Sequence, residues 1–344
     1  MVTYVLIIIL VAFAFDFING FHDSANSIAT IVGTRVLSPL AAVVWAATFN
    51  FAAAFFGSDA VAKAISNGYV VQSIVDAHVM CAALLGAIAW NLFTWFYGIP
   101  SSSSHALIGG FAGAAVAKGG LAALSWGTKW VETLSAIAIS PALGIFFGLF
   151  LMVVLFNVFK SATPRLMDKL FRPGQMLSSA MLSFAHGQND AQKTMGIIVI
   201  LLVSTNQHFA NETGFLRHFY LADASSVPKW VALSAYTCIS LGTLFGGWRI
   251  VHTMGSRITR LRPVSGFAAE TGGAAVIMLM TRFGVPVSTT HTITGAIVGV
   301  GATNRLSGVR WGIAGRIVWA WVFTLPVSAL IAAVTYWIIG ALGG

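Results

Sequence analysis

Apolar stretches follow one another along the chain with little between them. They lie near residues 3–31, 38–57, 74–97, 105–117, 131–158, 177–204, 229–248, 264–282, 285–303 and 317–340. Most are long enough to carry a helix through ~30 Å of hydrocarbon. The weak alternating segments of a membrane β-barrel are missing. The pattern predicts an all-α polytopic membrane protein with about 10–12 transmembrane helices. Segments 105–117 and 285–303 are short, rich in Gly, and preceded by Pro and hydroxyls, so they are expected to be re-entrant or broken helices. Segments 3–31 and 177–204 are long and interrupted by polar residues. Each is expected to divide into two half-helices.

The polar interruptions occur twice. Asn19-Gly20-Phe21-His22-Asp23-Ser24-Ala25-Asn26-Ser27 is answered by His186-Gly187-Gln188-Asn189-Asp190-Ala191-Gln192-Lys193-Thr194. Gly98-Ile99-Pro100-Ser101-Ser102-Ser103-Ser104-His105 is answered by Gly284-Val285-Pro286-Val287-Ser288-Thr289-Thr290-His291. Polar groups at membrane depth are costly and usually functional. Interruptions at matching places in two halves point to a secondary transporter.

Composition narrows the class. The 344 residues are 57% hydrophobic and 8% charged, against roughly 25% charged in a soluble domain. The apolar N-terminal stretch has no basic region before it and is expected to stay as a helix. Cys81 and Cys238 sit in apolar segments without metal spacing. The net charge of +9 is carried mostly by short loops, so nucleic acid is not expected as a partner.

The basic loops also set the topology. Lys160, Arg165, Lys169 and Arg172 fall in 159–176, Arg249, Arg257, Arg260 and Arg262 in 249–263, and Arg305, Arg310 and Arg316 further on. Placing all three in the cytoplasm puts the N- and C-termini outside the cell membrane. The expected organisation is a first inverted repeat over 1–158, a basic cytoplasmic linker over 159–176, and a second repeat over 177–344. Such a repeat brings both motif pairs to the midplane.

Each motif has its own chemistry. A Pro, then hydroxyls, then a new helix gives N-caps, free backbone N–H groups and the positive end of a helix dipole, which suit a tetrahedral anion. Ser101, Ser102, Ser103, Ser104, Ser288, Thr289 and Thr290 are therefore candidates for an anion site, with Gln188 and Asn189 nearby. Ordinary capping of two helices is the alternative. Asp23 and Asp190 beside an anion make sense if a cation or proton lies between, and they are the candidate metal ligands, with Asn26 as a further oxygen donor. Lys193, standing where the first half has Asn26, replaces a mobile cation or pairs with Asp190 at i, i+3. His22 titrates near neutral pH. Asp16 faces the same cavity or ties down a nearby helix. Glu270 couples or gates transport, or pairs with a loop arginine.

These residues resemble the inorganic phosphate transporter (PiT) family. The resemblance rests on residues 19–34, on 185–196, and on the two Pro–hydroxyl–His segments, and it spans both halves. It implies an inverted repeat, extracytoplasmic termini, a central cytoplasmic loop and cation-coupled phosphate uptake. The family commonly carries Asn where His22 stands. The Asp190-Ala191-Gln192-Lys193 run looks like the bacterial proton-coupled branch. Glu270 matches a buried Glu of the family.

The expected function is therefore a proton-coupled phosphate symporter working by alternating access, with phosphate entering alone or as a metal complex such as that of Mg²⁺. Sodium coupling and sulfate uptake are the alternatives. No cofactor is expected. The partners are phosphate and the lipid bilayer, with a homodimer and a cytoplasmic accessory protein left open. A hydrolase built on Ser104–His105 or Thr290–His291 is disfavoured, since adjacent helical residues point about 100° apart.

Overall fold

A computed structural model describes residues 1–56, 59–303 and 305–342, apart from the side chain of Asn67. Twelve α-helices run through the described residues. They are α1 Val2–Gly33, α2 Pro39–Ala52, α3 Ala60–Gly68, α4 Ala77–Tyr97, α5 Ser103–Gly119, α6 Thr128–Val158, α7 Pro164–Ser204, α8 Lys229–Phe245, α9 Trp248–His252, α10 Pro263–Arg282, α11 Thr289–Ala302 and α12 Trp311–Ala341. Five of them (α1, α4, α6, α10 and α12) are long and apolar enough to cross a membrane, and up to seven spans result if each bent pair counts as one.

Local chemistry sets the boundaries. Asp76 accepts the N–H of Val79 at 2.8 Å and caps α4, while Lys118 pairs with its other oxygen at 2.6 Å. Helix α4 ends at Gly98 and α10 is followed by Gly284, with φ of 64° and 67°. Only glycine holds that left-handed backbone cheaply, so each span turns sharply into its Pro–hydroxyl segment. The segments expected at 105–117 and 285–303 are the short helices α5, of 17 residues, and α11, of 14.

Two expectations are corrected. Helices α1 and α7 run unbroken through their motifs, for 32 and 41 residues, and do not divide. Neighbouring helices supply the partners that the polar side chains need, so no backbone break is required. The breaks fall elsewhere: residues 39–55 and 60–66 meet at 82°, and 229–245 and 248–257 at 62°. The linker 159–176 is mostly helix, because Thr163 accepts the N–H of Leu166 and Pro164 starts α7 at once.

The packing is reciprocal between the halves. Helix α5 lies on α12 as α11 lies on α6, α1 lies on α8 as α7 lies on α2, and α4 meets α12 as α10 meets α6. Gly109 and Gly113 let α5 approach the carbonyls of Leu325 and Ala329, and Gly295 and Gly299 let α11 approach those of Pro141 and Ile145. Helices α6 and α12 turn Leu134, Phe146, Phe150, Trp319, Phe323 and Leu330 outward, while the polar motif residues are buried. A soluble protein has the opposite arrangement, and lipid is the solvent that fits this one.

Arg172 reaches the carbonyl of Arg35, Arg249 that of Phe96, Arg310 that of Arg257 and Arg217 that of Ala210. Lys118 pairs with Asp76 and Lys129 with Glu132.

Candidate anion and cation site

Four helices bring the duplicated motifs together. The motif glycines make this possible: a Cβ on Gly20 would strike the carbonyl of Ile239 on α8, and one on Gly187 that of Asn50 on α2. A side chain of each motif then meets the start of a broken helix. Ser24 accepts the N–H of Gly247 at 2.5 Å ahead of α9, and Gln192 accepts that of Val61 at 2.9 Å in the first turn of α3.

The two hairpins start their helices in the same way. Ser102 accepts the N–H of His105 and Ser288 that of His291, both at 3.2 Å. These two side-chain oxygens are committed to capping, and only their O–H groups are left to donate. The remaining hydroxyls are tied to the other motifs. Asn26 donates to Thr290 at 2.9 Å and to Thr289 at 3.2 Å. Thr289 donates to Asp190 at 3.2 Å. Lys193 binds Asp190, Ser104 and the carbonyl of Val287, so one ammonium links α7 with both hairpins. Ser103 is buried with its hydroxyl unpartnered. Behind these starts, the buried rings of His105 and His291 lie 5.0 Å apart, and His291 stacks on Trp321.

Asp23 and Asp190 are both buried. His22 pairs with Asp23 at 2.6 Å and meets Thr94 at 3.0 Å. His186 lies 3.1 Å from Asp190, one helical turn away. Asp23, His186 and Asp190 each bring one ligand atom within 4.8 Å of the others. Two carboxylates and an imidazole from α1 and α7 form a donor set that suits a proton or a divalent cation.

The predicted residues gather unevenly. Ser103, Ser104, Thr289, Thr290, Asn26, Lys193, Asp23, His22 and Asp190 converge. Ser101 joins from the side, donating to Thr94 at 2.8 Å. Asn26, expected beside a cation, instead donates to the hairpin hydroxyls. Asn189 donates to Thr281 at 2.8 Å. Gln188 lies elsewhere: it is partly exposed, bonds the carbonyl of Phe56 at 3.4 Å, and lines an open cleft of about 600 Å³ with Thr281 and Arg282. Gln188 stands two positions from both His186 and Asp190, about 200° round the helix, which carries it off the face they share.

Glu270 lies apart from the cluster. It is buried and accepts from Thr30 at 2.6 Å, Gln175 at 2.9 Å and Ser178 at 2.5 Å. Its partners are neutral donors and include no arginine. His186 was missed by the sequence reading, although its place four residues before Asp190 could have found it. Thr94, Gln175 and Ser178 carry no such signal, since only the tertiary fold brings them in.

Comparisons with known proteins agree with this picture. The model of the phosphate transporter family matches residues 19–167 and 157–332. A Rhizobium meliloti protein described as "Probable low-affinity inorganic phosphate transporter" is 53% identical over 96% of this chain and 94% of its own length. A Bacillus subtilis protein of the same description is 44% identical over 97% of this chain and 96% of its own. A solved structure titled "The sodium-dependent phosphate transporter" superposes with a TM-score of 0.83, covering 98% of this chain and 99% of that one, at 24% identity.

Proposed function

Because this multi-pass membrane chain belongs to the phosphate transporter family, we propose that it takes up inorganic phosphate in symport with protons, by alternating access. The observation that carries the reading is Lys193, which joins Asp190 to both hairpins at the point where the anion would sit. The hydroxyls of Ser103, Ser104, Thr289 and Thr290, the Asn26 amide and the two helix starts would hold the phosphate oxygens. Phosphate that keeps a proton can donate to Asp23 or Asp190, while sulfate has none to give. The names of the bacterial relatives favour phosphate as well.

The reciprocal packing supports an inverted repeat with a pseudo-two-fold axis through this cluster. The basic residues of 159–176 and 249–263 support a cytoplasmic placement of those connections, with both termini outside.

Charge decides the coupling. Two ionised aspartates, a dianion and one ammonium sum to −2 − 2 + 1 = −3, which cannot sit unbalanced at membrane depth. Lys193 fills the position where Asn26, in the other half, would offer an oxygen to sodium. His22 and His186 place an imidazole beside each aspartate. A divalent ion arriving with phosphate is cargo that Asp23, His186 and Asp190 suit. The test is labelled phosphate uptake into proteoliposomes in sodium-free buffer. An inward proton gradient should accelerate it. Uptake that appears only on adding sodium would overturn the proton reading.

A further inference from the structure

Three buried acids are stacked along α1. Asp23 stands at the centre. Seven residues beyond it, Thr30 meets Glu270, and seven residues before it stands Asp16, each about 10 Å away along the helix. Asp16 is fully buried and plays no part in the site described above.

The surroundings of Asp16 are short of positive charge. One oxygen accepts from Thr194 at 2.9 Å and the other has no partner. Asn19, one turn on, lies beside the carboxyl and leaves its own side-chain oxygen unpartnered. From α7 the nearby charged groups are Lys193, already bound to Asp190, and Asp190 itself. From α8 they are Tyr236 and Cys238, both neutral near pH 7. A carboxylate with one hydroxyl and the Asn19 amide beside it, and no cation bound to it, is costly in such a place. A carboxylic acid is not: its O–H satisfies one unpartnered acceptor and removes the charge. Thr194 lies on the turn of α7 after Asp190 and Lys193, so this acid adjoins the central cluster on the N-terminal side of α1.

We propose that Asp16 is the outer proton-loading site of the transport cycle: it takes a proton from the extracytoplasmic side before phosphate is carried inward, and releases it in the inward-facing state. The proposal rests on the proton-coupled reading and names a residue for it. Asp23, Asp190 and Lys193 then hold the anion, while Asp16 sets how a proton gradient is felt.

Two assays on the full-length protein in proteoliposomes separate these roles. The first is labelled-phosphate exchange at equal pH, which needs the anion site and alternating access. The second is net uptake under an inward proton gradient without sodium. Asp16→Asn should keep exchange and lose the acceleration by the gradient. Asp16→Glu should regain the acceleration with a displaced pH profile. Acceleration that persists in Asp16→Asn would overturn the proposal and leave proton coupling standing. Loss of exchange in both variants would make Asp16 structural and overturn it too. A wild-type protein that ignores the gradient, or responds only with sodium present, would remove the proton reading and this site with it.

Discussion

Replacing Lys193 with Met is expected to abolish phosphate uptake and to destabilise the protein by about 3–5 kcal/mol. The ammonium is buried and binds Asp190, Ser104 and the carbonyl of Val287. Without it, the Asp190 carboxylate stays buried with His186 and Thr289 as its remaining partners. Thermal unfolding in detergent reads the loss. The double variant Asp190→Asn/Lys193→Met removes both charges, so it should recover most of the stability and none of the uptake. A single Lys193→Met variant that melts and transports like wild type would show that the ammonium does not hold the hairpins together.

Asp23→Asn should stop coupled uptake while the protein still inserts and melts near the wild-type temperature. Its effect on stability is smaller because its partner His22 keeps its bond to Thr94. The amide keeps the shape of the acid but cannot take up or release a proton, nor balance a cation shared with His186 and Asp190. Asp190→Asn should fail in uptake as well, with a larger loss of stability because it strands Lys193. Gradient-driven uptake and unfolding, measured on the same preparations, separate the two effects. Normal gradient-driven uptake in either variant would remove that residue from the coupling machinery.

Much of the site was legible because its parts are local. A glycine, a proline and a run of hydroxyls announce the starts of α5 and α11, and both hairpins follow that order. The pairing of Asp190 with Lys193 follows from spacing on one helix. What spacing cannot give is which neighbour answers a buried polar group. Helices α1 and α7 looked broken because their polar runs seemed to need relief, yet Thr94, Thr194 and the hairpin hydroxyls meet those groups from other helices. Glu270 was open between coupling and pairing with an arginine, and the fold gives it Thr30, Gln175 and Ser178, all distant in sequence. Gln188 belongs to the motif by position, but it lies about 200° round the helix from Asp190 and faces an open cleft. The breaks at α2–α3 and α8–α9 had no proline to announce them, and side chains of the two motifs meet the start of α3 and the residue before α9.

The central claim is that one phosphate is held jointly by the two halves. Equilibrium binding of labelled phosphate to the purified protein tests this most directly. The account predicts one phosphate per chain, and a weakening of roughly 10- to 150-fold for Ser104→Ala in the first half and again for Thr290→Val in the second, since a hydrogen bond to a charged group contributes about 1.5–3 kcal/mol. Two phosphates per chain, or full affinity after the loss of either hydroxyl, would contradict it.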